Sequence, residues 1–170
     1  MGTPSLPNAL LAVDTNVPLD LADGKEHVLD AITVIRRRLK SGRLLLTPTA
    51  FQELVYLADH AESAADRRLA AKALHGLASW RIELVNLVPV QHGIVERIAQ
   101  RLVERRLIPV EEFNDALILA EAALLGCDLL LSSDAHLRGV EFEQAKAELL
   151  RFDVEAPVIA TPRELVRRFF

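Results

Sequence analysis

Five short strand-forming runs, Leu10–Val13, Leu44–Leu46, Ile82–Val88, Asp128–Ser132 and Pro157–Ala160, are each separated from the next by at least one stretch of helical character. Strands joined in this way cannot close tight hairpins. A connection of a dozen or more residues pairs them in parallel instead, with the intervening helices laid over the sheet. This alternation restricts the chain to an α/β fold of three layers, helix, sheet and helix. The 170 residues suit one domain, and no repeat, low-complexity tract or shift in composition marks a linker, so residues 1–170 are expected to form a single domain.

Helical spacing of Val28, Leu29, Ile32, Ile35 and Leu39 predicts a helix over 28–40, stopped at Ser41-Gly42. Thr49-Ala50-Phe51-Gln52 has the pattern of a capping box and opens a helix that carries Glu53. Further helices are expected over 64–79 and, from Ile94, Ile98 and Leu102, over 92–106, with Trp80 in the core between them. Pro109 suits a helix start for 110–125, where Ala116 to Ala120 are apolar nearly all round and must be buried on most sides; Gly126 ends it. A short helix over 141–150 follows, and Thr161-Pro162-Arg163-Glu164 opens a terminal helix reaching Arg168.

With 51% hydrophobic and 26% charged residues, the chain is neither disordered nor fibrous. A net charge of −4 argues against gripping nucleic acid through overall positive charge. Arginines nevertheless cluster at 36–38, 67–68, 105–106 and 167–168, each group open to two readings, a solvated helix face or part of a substrate groove. The segment Met1 to Val13 has no cationic region, its apolar run Ala9–Val13 is too short for a signal peptide, and no span could cross a membrane. Cys127 has no cysteine partner and reads as a small buried hydrophobe, so a cytoplasmic setting is expected. Histidines at 27, 60, 75, 92 and 136 do not pair at zinc-ligand spacing, and neither a glycine-rich phosphate loop nor a G-x-S-x-G elbow occurs.

Four acids stand where such a fold would gather them: Asp14 after the first strand, Glu53 early in a helix, Asp115 before the most hydrophobic helical stretch, and Asp134 after the fourth strand. Ligands of open α/β sheets bind outside the carboxyl ends of the strands. Carboxylates converging there repel one another unless a hard, oxygen-preferring cation, Mg²⁺ or Mn²⁺, neutralises them. Each residue also has a plain structural reading. Asp14 and Asn114-Asp115 could be helix caps, Glu53 could form a surface pair, and Asn16 could either cap the first helix or orient Asp14. His136 is read as a surface loop residue.

Taken together, Asp14-Thr15-Asn16, the helical Glu53, Asp115-Ala116-Leu117-Ile118-Leu119-Ala120, Leu131-Ser132-Ser133-Asp134 and the closing Val158-Ile159-Ala160-Thr161-Pro162 resemble the PIN-domain ribonuclease family. The resemblance implies a parallel five-stranded sheet of order 3-2-1-4-5 and a cleft in which Asp14, Glu53, Asp115 and Asp134 bind Mg²⁺ or Mn²⁺, with Asn16 and Ser132 in support. It further implies metal-dependent endonucleolytic cleavage of RNA. Many small members are toxins of toxin–antitoxin pairs, so an antitoxin protein and a homodimer are the partners it suggests. Ser132 stands where threonine is usual. The alternative is a catalytically silent module that binds RNA or protein. A phosphatase using a D-x-D nucleophile is disfavoured, because Asp14 is followed by Thr15-Asn16.

Overall fold

The computed structural model describes residues 8–39 and 42–169. Five parallel strands, β1 (Leu10–Val13), β2 (Arg43–Leu46), β3 (Ile82–Leu84), β4 (Leu129–Leu131) and β5 (Val158–Ala160), form one sheet in the order β3-β2-β1-β4-β5. Helices cover both of its faces, as the alternation of elements requires. Leu11, Ala12 and Val13 of β1 are all buried, as expected of a central parallel strand with helices above and below. Val13 is level with Leu46 on one side and Leu131 on the other, so β1, β2 and β4 end together. The connection direction reverses between β1 and β4, which opens a crevice beyond their carboxyl ends.

The helices are α1 (Asn16–Ala22), α2 (Glu26–Arg38), α3 (Pro48–His60), α4 (Ala64–Gly76), α5 (Pro89–Glu104), α6 (Phe113–Leu124), α7 (Ala135–Arg138), α8 (Phe142–Leu150) and α9 (Pro162–Phe169), with a 3₁₀ turn at Val110–Glu112. Packing pairs α5 with α6, α3 with α4 and α6, and α2 with α9. Among the described residues no helix is long and apolar enough to cross a membrane.

Several local expectations need correction. The cap of α3 is Thr47, not Thr49: the Thr47 hydroxyl accepts from the Ala50 N–H, and Pro48 occupies the first helical position. α7, a short helix next to the site, was not expected, and α1 follows the Asp14-Thr15-Asn16 cluster that was open to reading as a helix cap. α4 stops at Gly76, three residues short of the expected end; the Trp80 ring lies over that glycine, and a Cβ there would come within 2.4 Å of the ring. The third strand covers only Ile82–Leu84, and the chain then runs to Val88, whose N–H donates to the Gln91 side chain at the start of α5. Pro109 precedes the 3₁₀ turn, and α6 begins three residues later than expected. Of the expected stop after α2, Ser41 lies outside the described residues.

Other expectations hold. Gly126, at φ +72°, ends α6, and Cys127 is buried. Thr161 and Glu164 form the reciprocal box at α9, the Thr161 N–H donating to Glu164 at 2.9 Å and the Glu164 N–H to Thr161 at 3.1 Å.

Candidate metal centre

Asp14 leaves β1 at the crevice, its N–H still donating to the Leu131 carbonyl at 3.0 Å, and is only 3% exposed. A carboxylate this deep requires donors. The Thr15 N–H donates to Oδ1 at 2.6 Å, while the Ser132 hydroxyl at 2.6 Å and the Asn16 amide at 3.1 Å donate to Oδ2. Burial still dominates and pushes the Asp14 pKa up to about 6, against the lowering effect of Ser132 and Thr15; the charges of Glu53 and Asp134 push it further upward.

Asn16 and Ser132 also link β1 to the loop after β4. Asn16 Oδ1 accepts from the Ser133 N–H at 3.2 Å, and Ser132 Oγ accepts from the Asp134 N–H at 2.9 Å. Asp134 in turn caps α7, its Oδ1 accepting from the N–H groups of His136 and Leu137 at 2.7 and 3.2 Å. On the other side, Glu53 sits in the second turn of α3. Its Oε1 accepts from the Asn114 amide at 2.8 Å and its Oε2 from the Thr15 hydroxyl. Thr15 and Asn114 thus hold the Glu53 carboxylate, a role not read from the sequence; the position of Asn114 beside Asp115 in one helical turn was the available signal.

Asp115 lies in the first turn of α6, just ahead of the buried residues Ala116 and Ile118 to Ala123. Its Oδ2 is buried with no hydrogen-bond partner among the described residues. Its pKa is pushed up to about 8, chiefly by burial and then by the charges of Asp134, Asp14, Glu112 and Glu53. The fold therefore brings all four acids into one electrostatic neighbourhood. As the side chains stand, no three His, Cys, Asp or Glu groups among the described residues form a ready ligand set. An orphaned buried oxygen among oxygen-only donors nonetheless fits a hard divalent cation, since neutralising charge is what this cluster lacks.

Two neighbouring features complete the surroundings. Glu121, only 2% exposed on the otherwise apolar α6, accepts from the Thr49 hydroxyl at 2.7 Å and N–H at 3.1 Å, joining α6 to the first turn of α3; burial raises its pKa. A lone acid within the most hydrophobic helix was the overlooked signal. Exposed His136 faces Glu112 across the crevice mouth at 3.6 Å. Three of the four arginine groups contribute a structural contact through one member: Arg36 donates to the Trp80 carbonyl, Arg67 to that of Ala61, and Arg105 pairs with Glu148.

A doubly wound parallel sheet with an acidic cluster at its switch point defines a class of α/β domain suited to holding a cation. More particularly, the chain belongs to the PIN domain family, whose model matches residues 11–143. PIN domains are generally nucleases and typically use divalent metal ions. Among solved structures the chain is similar to one described as VapBC2 from Rickettsia felis bound to a DNA fragment from their promoter, at 14% identity and a TM-score of 0.62, covering 89% of this chain and 98% of that one. At that identity the likeness concerns the fold. No curated protein matches the chain.

Proposed function

We propose that this protein is an Mg²⁺- or Mn²⁺-dependent endoribonuclease, acting as the toxin of a toxin–antitoxin pair in the cytoplasm. Asp14, Glu53, Asp115 and Asp134 would hold the ion. The observation that carries this reading is Asp115: a half-buried carboxyl with an unpartnered oxygen, facing three further acids, is costly to the fold unless a cation compensates it. When bound, such an ion would polarise the phosphodiester, activate water and stabilise charge on the departing oxygen.

The protein's own groups set the geometry. Ser132, Asn16 and the Thr15 N–H fix the orientation of the Asp14 carboxylate, and Thr15 with Asn114 fixes Glu53. Such partners limit rotation of the acids. Asp134 is held by its cap on α7. Single-stranded or looped RNA suits a narrow crevice, because its backbone bends into it. An antitoxin partner is supported by the VapBC2 assembly named for the similar fold, and a homodimer by the family resemblance.

The test is cleavage of a mixed RNA pool by the purified protein with Mn²⁺, beside EDTA and Asp14→Asn controls. Cleavage abolished in both controls is the expected result. Cleavage unaffected by either would refute the metal role, and calorimetric Mn²⁺ binding without cleavage would favour the silent binding module.

A further inference from the structure

A groove of about 430 Å³ runs between α3 and α6 and shares Glu53 and Asn114 with the acidic cluster. Its volume lies within the range of small-molecule sites. Leu57 and Leu117 give it apolar walls, while Gln52 and Asn114 bring side-chain amides, each with a donor and an acceptor. Its rim carries the sole tyrosine of the sequence, Tyr56, 63% exposed and stacked on His60 with centroids 4.8 Å apart and planes 12° from parallel. The tyrosine ring is thus spent on a solvent-facing surface in a chain with 5% aromatic residues.

We propose that this groove is a nucleobase subsite: an unpaired base of the RNA stacks on Tyr56, backed by His60, with its edge toward Gln52 and Asn114, beside the phosphodiester presented to the acids. The proposal rests on the ribonuclease reading above and assigns part of its specificity. Aromatic faces accept unpaired bases of any kind, and amides at the edge then discriminate among them. The only formally charged side chain lining the groove is Glu53. That lining repels a phosphate and accepts a neutral base. The partly stacked ring pair is also held in place before binding, which reduces the ordering cost of recognition.

The stacking is read with an RNA oligonucleotide carrying 2-aminopurine, titrated into full-length Asp14→Asn protein so that no cleavage intervenes. Stacking quenches the probe. Quenching that disappears in Asp14→Asn/Tyr56→Ala and persists in Asp14→Asn/Tyr56→Trp supports the subsite. In the active protein, Tyr56→Ala should lower kcat/KM by roughly five- to 150-fold, the range for removing one aromatic partner from a base, mainly through KM. An oligonucleotide abasic at that position should be cut equally by both proteins. Unquenched probe, or equal losses on abasic and intact RNA, overturns the proposal. So does an unchanged RNA profile in Tyr56→Ala accompanied by weaker capture of a purified antitoxin, which would give the groove to protein. Failure of the wild-type protein to cleave any RNA sinks the ribonuclease reading, and the quenching result still decides the subsite separately.

Discussion

Asp115 offers a test that needs no substrate. Its pKa rises from an ordinary 3.8 to about 8 in the folded chain. Between those values the folded state binds more protons than the unfolded one, so ionising Asp115 destabilises the metal-free protein progressively from about pH 4 to pH 8, and the penalty levels off above that. Taken at face value, a shift of this size corresponds to about 5–6 kcal/mol. Asp115 is only half-buried, however, and solvent screening reduces the figure to about 2 kcal/mol. Asp115→Asn keeps the shape and removes the charge. In EDTA its gain should be smaller near pH 5.5 than near pH 8.5, where it reaches about 2 kcal/mol and raises Tm by about 4–8 °C for a chain of this length. Thermal melts at the two pH values measure this directly. Saturating Mn²⁺ should reverse the order, stabilising wild type and leaving the variant behind, because an ion held by the folded cluster alone would favour the folded state. A variant no more stable than wild type in EDTA at the higher pH, or one whose gain does not grow with pH, would refute the reasoning.

Ser132→Ala removes a donor to Asp14 and an acceptor for the Asp134 N–H, so it should cost about 1–3 kcal/mol in denaturant unfolding. The same change removes the largest influence lowering the Asp14 pKa, so the pH of half-maximal Mn²⁺ binding, followed by calorimetry, should move upward, while Ser132→Thr keeps the hydroxyl and moves it less. Glu121→Ala strands the Thr49 hydroxyl and N–H inside the α3–α6 contact; a loss of about 2–3 kcal/mol is expected by urea unfolding, with Glu121→Gln intermediate.

The sheet was legible because parallel strands buried on both faces read as uninterrupted aliphatic runs, as Leu10–Val13 and Leu44–Leu46 do. Its strand order was not contained in those runs and came only from the family resemblance. The terminal helix was found from Thr161-Pro162, yet the same pair at Thr47-Pro48 was passed over in favour of Thr49, whose hydroxyl is committed to Glu121 seventy-two residues away. α1 could not be given bounds and α7 escaped notice because seven and four residues are too few to display an apolar period. The four acids could be nominated from their places at strand and helix ends. Their hydrogen-bond partners could not, since Thr15 meets Glu53, and Ser132 meets Asp14, only after the elements have packed.

The level endings of β1, β2 and β4 make the acidic pocket a matter of counting. Strand side chains alternate faces with each residue, so inserting or deleting one residue in β4 would turn Ser132 away from Asp14 while leaving composition and hydrophobicity almost untouched. Lineages of this fold should therefore tolerate aliphatic exchange within these strands far more readily than any change in their length.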